Sequence, residues 1–250
     1  MRQGSRRLLV FLVLFTGLST AAASDELTIS EVRWGGTLQA YSYRESQMRL
    51  TGPTLGVRAE GNIGLGGESF RAQAELTLGR FHYTSPLSGE LSGTKWLGTQ
   101  WHVSYKVDGP AWMPRPGIAF STEWSDLRGR TSTGNPGYER FNASVWLSGA
   151  WDIAHDETDG PTVLRAALLV RGWQRSLLSQ ARRDFVDVTN QQSRGIWLAA
   201  EKPMRLGDYK TSVRLGWRLV GRSDTRSASN TEFVFEPTNR AIEASVTFWH

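Results

Sequence analysis

From Tyr209 the chain alternates for a dozen residues. Tyr209, Thr211, Val213, Leu215, Trp217 and Leu219 share one phase, and Lys210, Ser212, Arg214, Gly216 and Arg218 share the other. Successive side chains of an extended strand point to opposite faces, so this pattern predicts a strand with one apolar and one polar wall. The segment 141–152 behaves alike. Phe141, Ala143, Val145, Leu147 and Trp151 oppose Asn142, Ser144, Ser148 and Asp152. In 70–79, Phe70, Ala72, Ala74, Leu76 and Leu78 alternate with Arg71, Gln73, Glu75, Thr77 and Gly79. Weaker versions occupy 33–44, 53–63, 95–107, 116–126, 162–174, 194–202 and 240–250. No segment keeps a helical period over three turns, so the chain reads as all-β.

A soluble sandwich also alternates, but two features favour a closed antiparallel transmembrane β-barrel of about 10 strands (8–12). The predicted strands run to about ten to thirteen residues. Soluble strands average about five or six, and a tilted strand needs about nine to eleven to cross hydrocarbon. The connections also alternate in length. Short ones fall at 62–69, 107–116, 152–161 and 203–208, and longer ones at 44–53, 82–94, 126–139, 174–194 and 222–240. Short periplasmic turns and longer extracellular loops mark outer-membrane barrels, and an even strand number leaves both termini in the periplasm. Lipid offers no partner for backbone amides, which is why such a sheet must close on itself.

The N-terminus fits export. Arg2, Arg6 and Arg7 precede an apolar run from Leu8 to Leu18, and Ala21-Ala22-Ala23 supplies small residues for cleavage. This predicts a signal peptide over 1–23 and one outer-membrane barrel domain over 24–250. The full chain has 29 basic and 24 acidic residues; losing three arginines leaves 26 against 24. The high isoelectric point therefore says little about partners, and no nucleic-acid patch stands out. With no cysteine, no disulfide framework is available. The last strand keeps Ile242, Ala244, Val246, Phe248 and His250 in one phase, with His250 where a terminal Phe is usual. The expected location is the outer membrane of a Gram-negative cell. The expected partners are outer-membrane lipid, lipopolysaccharide and the barrel assembly machinery, with small solutes or ions as candidate cargo.

Several patches carry a family resemblance. They are Tyr43-Arg44-Glu45 with Met48 and Gly52, then Gly79-Arg80-Phe81-His82-Tyr83-Thr84-Ser85. Thr131-Ser132-Thr133-Gly134 follows, leading into Gly137-Tyr138-Glu139-Arg140, and then Glu236-Pro237-Thr238-Asn239. In these the chain resembles uncharacterised proteobacterial outer-membrane β-barrel proteins, a porin-like group without an assigned activity. The resemblance implies architecture and carries over no functional residues.

If the apolar faces meet lipid, the polar faces line the lumen. The candidates are Gln39, Tyr41, Tyr43, Arg58, Glu60, Arg71, Glu75, Gln100, His102, Lys106, Glu123, Arg165, Arg171, Glu201, Lys210, Arg214, Arg218 and Glu243. They either pair across strands and fill the barrel or line a narrow pore with a weak anion preference. Trp34, Trp101, Trp124, Trp151, Tyr209 and Trp217 are candidates for interfacial girdles.

Chemistry is sparse. His102 and Ser104 share a face, and this His-x-Ser pair resembles that of outer-membrane lipid A 3-O-deacylases, with Glu123 as the candidate carboxylate. Tyr105 stands where that family has Asn. Omptin-type proteases need acidic pairs with a histidine at the outer rim, and only His82 is placed near Asp126, Asp184 and Asp187. No metal-ligand cluster or cofactor motif is present in the pattern. The basic loops around Arg128 and Arg130 and around Arg175, Arg182, Arg183 and Arg194 offer contacts for lipopolysaccharide phosphates. The expected role is therefore structural or narrow-pore transport. A deacylase-type enzyme and a surface-loop binding protein are the alternatives.

Overall fold

A computed structural model describes residues 27–65, 67–106, 113–156, 160–221, 224–225 and 238–250. The predicted signal segment and most of the predicted loop 222–240 lie outside the described residues. The strands are β1 (Leu27–Arg44), β2 (Arg49–Leu65), β3 (Glu68–Ser85), β4 (Gly89–Tyr105), β5 (Arg115–Asp126) and β6 (Glu139–Asp156). They continue as β7 (Gly160–Ser176), β8 (Val188–Gln192), β9 (Gly195–Leu206), β10 (Tyr209–Val220), β11 (Asp224–Thr225) and β12 (Asn239–Trp249).

Ten of these strands form a closed antiparallel wall. Its order is β1 to β7, then β9, β10 and β12, and β12 returns to β1 through pairs running from Gly35↔Trp249 to Arg44↔Arg240. Closure removes the sheet edges that would otherwise leave amides unpaired. The start of β1 and the end of β12 share one end of the barrel, here the terminal end; the opposite one is the loop end. The short β8 pairs with the upper part of β7 and with β11, so β9 meets β7 only from Val163↔Glu201 to Leu168↔Ile196.

The faces fall as the alternation requires. Each wall strand points at least one large apolar side chain outward: Leu38, Leu55, Leu78, Val103, Ile118, Leu147, Leu168, Leu198, Leu215 and Ile242 are all exposed. Leu55 is 64% exposed and Leu215 60%. A continuous apolar belt of this kind has no place in water, whereas lipid is its matching solvent. The interior is the polar side, the reverse of a soluble protein, with Arg58, Arg165, Arg214, Glu60, Glu75 and Glu201 all buried.

Two predicted long loops are corrected. The β1–β2 connection is only 45–48, closed by the Glu45 amide donating to the Met48 carbonyl at 2.9 Å, and β3–β4 turns at 86–88. Residues 49–53 and 82–85 carry on as paired strand. Their Thr, Gly, Pro, His and Ser content reads as loop, but these hairpins extend beyond the roughly nine to eleven residues a crossing needs. The β5–β6 connection at 127–138 is long, as predicted. It leans on the β3–β4 hairpin, the Ser132 amide donating to the Glu90 carbonyl at 2.8 Å and the Thr133 hydroxyl to the Ser88 carbonyl at 2.7 Å.

Candidate functional site: the barrel lumen

Ionic and aromatic contacts cross the lumen at successive levels. Nearest the terminal end, Glu60 on β2 accepts from Arg33, from Arg71 at 2.8 Å and from Gln73 at 2.8 Å. Above it, Glu201 on β9 is held by Arg58 from β2 at 2.8 Å and by Arg165 from the neighbouring β7 at 2.9 Å. Arg214 on β10 reaches Glu75 on β3 at 2.8 Å and lies 3.3 Å from Glu243 on β12. Gln39 links this level to β2, donating to Glu243 at 3.1 Å while accepting from Thr54 at 2.9 Å. Higher still, Glu123 on β5 accepts from Tyr41 on β1 at 2.9 Å and pairs with Arg218 on β10. At the loop end Arg140 on β6 pairs with Glu45, which also accepts from Tyr43 at 2.5 Å.

Many of these pairs join strands separated by several others, so they tie opposite sides of the wall together. Ions so far from water are tolerated only when paired and hydrogen-bonded, and losing one partner is costly. The alternating signs also leave no uniform charge along the axis.

Aromatic groups fill what the ions leave. Tyr41, Phe81 and Trp96 stack within the upper lumen, with ring centroids 5.1 to 5.6 Å apart. Trp96 lies flat over Gly98, where a Cβ would collide with its ring. Trp146 and Trp197 pack at 6.5 Å within a buried cluster with Ala119, Ala167, Leu169, Ala199 and Val220. Trp249 carries the Arg33 guanidinium 4.3 Å and that of Arg58 5.1 Å from its ring centre.

The space left over includes several small cavities that share lining residues such as Glu75, Glu123 and Arg214. One of about 50 Å³ lies among Gln39, Glu75, Trp96, Trp146 and Arg214, enough for a few waters. Two others hold about 20 and 10 Å³. A larger space of about 380 Å³, lined by Glu31, Arg33, Glu60, Arg71, Lys106 and Arg115, forms a vestibule at the terminal mouth.

Of the residues predicted to line the lumen, Gln39, Tyr41, Tyr43, Arg58, Glu60, Glu75, His102, Glu123, Arg165, Glu201 and Arg214 are buried inside it. Arg71, Gln100, Arg218 and Glu243 point the same way and are half-buried. Lys106 and Lys210 keep the inward phase but sit at the terminal rim, exposed. Arg171 is a correction. A bulge between Leu169 and Arg171 on β7 shifts the register, because Val145 pairs with Arg171 while Trp146 pairs with Leu169. The phase therefore flips, leaving Arg171 exposed and bonded to Gln191 at 2.5 Å.

The sequence reading missed the inward tryptophans Trp96, Trp146, Trp197 and Trp249. Their signal was phase: Trp146 falls between Ser144 and Ser148, and Trp249 follows Ser245 and Thr247 in the polar register. The predicted girdle residues Trp34 and Tyr209 are exposed, and Trp101, Trp124, Trp151 and Trp217 take the outward phase of the apolar belt.

The candidate triad is not brought together. The His102 ring shares a hydrogen bond with Ser148 on β6 at 2.9 Å. His102 stands opposite Ala119 and Glu123 opposite Gly98. That is four positions along the strand, or about 13 Å. The Glu123 carboxylate is already engaged by Tyr41 and Arg218. Ser104 is buried within the lumen, walled off from an acyl chain on the lipid face.

Together the closed wall, outward apolar belt and polar interior define a β-barrel of the outer-membrane type. No protein-family model and no curated protein sequence matches the chain. Among solved structures it is similar to the translocator domain of the autotransporter NalP from Neisseria meningitidis. That match has 12% identity, covers 97% of this chain and 95% of that one, and has a TM-score of 0.45. It is also similar to the outer membrane protease OmpT from Escherichia coli, at 10% identity over 91% and 97% with a TM-score of 0.40. The β domain of the Bordetella autotransporter BrkA is 15% identical over 86% and 98%, with a TM-score of 0.41.

Proposed function

We propose that this chain is an occluded outer-membrane barrel: a rigid scaffold whose lumen is a packed ionic and aromatic core, and whose working surface is the structured loop end. The reading assumes export through the segment 1–23 and insertion by the barrel assembly machinery, with the termini in the periplasm. The observation that carries it is the double pairing of Glu201 with Arg58 and Arg165, set beside the Trp146–Trp197 pair. A diffusion channel needs a continuous wet path, and these groups occupy the section where that path would run. The loop end supports the second half of the proposal, because the 127–138 connection is fixed to the β3–β4 hairpin by the Ser132 amide and the Thr133 hydroxyl, which donate to the Glu90 and Ser88 carbonyls.

The test is ion flux from proteoliposomes holding the mature protein, with insertion verified by heat-modifiable gel migration. Potassium and chloride release no faster than from empty vesicles is the expected result. Rapid release of either ion would return the protein to the pore class.

A further inference from the structure

Three arginines occupy one outward row at the loop end. Arg44 on β1 stands directly opposite Arg49 on β2 and directly opposite Arg240 on β12. On the next two strands Arg80 stands opposite Lys95. All five are exposed. They share the outward phase of the apolar belt: Arg44 with Leu38, Arg49 with Leu55, Arg80 with Leu78, and Arg240 with Ile242. Five consecutive wall strands therefore each present a cation outward near one rim.

Side chains directly opposite one another in a sheet approach to about 4.5–5.5 Å at Cβ, and like charges there repel. Inside the barrel Arg58, Arg140, Arg165, Arg214 and Arg218 each pair with a carboxylate. Among the described residues, no salt bridge or side-chain hydrogen bond joins Arg44, Arg49, Arg80 or Arg240 to an acceptor. Lys95 faces Asp126, but that carboxylate is gripped by Arg128 at 2.8 Å through both of its oxygens. The row thus carries a repulsion that nothing in the described chain offsets.

A ligand that offsets it must be anionic, wide and anchored beside an apolar wall. Neighbouring strands lie about 4.8 Å apart, so the arginine triple spans about 10 Å; Arg80 and Lys95 sit four positions further along, since Arg49 faces Thr84, so all five cations reach over about 23 Å. One phosphodiester would engage only part of that width. Guanidinium forks bind phosphate oxygens two at a time, and the leucine rows of the same strands suit acyl chains. We propose that the outward loop-end face of β12, β1 and β2, extended by Arg80 and Lys95, docks an outer-leaflet glycolipid carrying more than one phosphate. The inference rests on the outer-membrane reading with the loop end facing outward. It does not depend on whether the lumen conducts, so a failure here and a failure of the ion-flux test are separate results.

The experiment is native mass spectrometry of the full mature protein in detergent. It is titrated with bis-phosphorylated lipid A, with the same lipid after phosphate removal, and with phosphatidylglycerol. Arg44→Gln/Arg49→Gln/Arg240→Gln is compared with Lys106→Gln/Lys210→Gln at the opposite rim, and heat-modifiable migration verifies each fold. Wild type should bind the bis-phosphorylated lipid most tightly. The arginine triple should lose roughly a hundredfold, as three cations at a charged membrane surface would contribute. The terminal-rim variant should bind like wild type. Arg44→Lys/Arg49→Lys/Arg240→Lys should retain part of the affinity. Equal binding by the Gln triple, or equal binding of dephosphorylated lipid, would overturn the site. Equal binding of phosphatidylglycerol would overturn the glycolipid assignment.

Discussion

Arg58 on β2 and Glu201 on β9 meet at 2.8 Å across the barrel, although three wall strands separate them through the β12–β1 seam and five the other way round. Arg165 approaches the same carboxylate at 2.9 Å, so one anion holds two buried cations. Replacing Glu201 with Gln leaves Arg165 without its counter-charge and Arg58 with only the more distant Glu60, at 3.5 Å. Breaking such a buried pair costs about 3–5 kcal/mol. Glu201→Gln should therefore lower the free energy of unfolding from lipid vesicles by about that amount, seen as a lower urea midpoint by tryptophan fluorescence. An unchanged midpoint would show that the pair does not bind the wall together.

The lipid-facing assignment makes a second prediction. Leu215 is 60% exposed and Val145 shares the outward phase of Leu147. Arginine near the bilayer midplane costs about 2–4 kcal/mol. Leu215→Arg and Val145→Arg should each slow insertion and reduce stability in vesicles by about that much. Arg171→Leu supplies the contrast: since the bulge turns Arg171 outward, this change should leave folding intact or improve it. Loss of folding in Arg171→Leu would place the residue back in the lumen.

Most of the wall was legible because period two is imposed by the backbone itself. Leu215, Leu147 and Leu78 announce the lipid face, and Arg214, Ser148 and Glu75 the lumen, with no knowledge of neighbours. Strand ends were harder, since Thr51, Gly52 and Pro53 have loop-like composition while their pairing depends on the partner β1. Arg171 was misplaced because a single extra residue inverts every facing beyond it, and sequence gives no sign of a bulge without its partner strand. Trp146 and Trp197 were overlooked for another reason. Tryptophan suits a membrane interface as well as a packed lumen, and only its phase tells the two apart. The pairing of Glu201 with Arg58 joins residues 143 positions apart, which no local pattern encodes.

Gly52 predicts a steric effect at the loop end. A Cβ there would collide with the Arg80 carbonyl oxygen and lie 2.5 Å from the Phe81 ring. Phe81 is buried against Tyr41 and Trp96, so neither the backbone nor the ring can yield without disturbing the stack. Gly52→Ala should cost about 1–3 kcal/mol, as overpacking does. Near-ultraviolet circular dichroism should report the altered aromatic environment. A variant with wild-type stability and spectrum would contradict the close approach of β2 and β3.

The most direct test of the occluded lumen is planar-bilayer recording of the wild-type protein beside Trp146→Ala/Trp197→Ala, each shown to be inserted. The structure predicts a silent wild type and discrete conductance steps once the aromatic pair is removed. Steady conductance steps from the wild type would contradict the closed core and establish a pore.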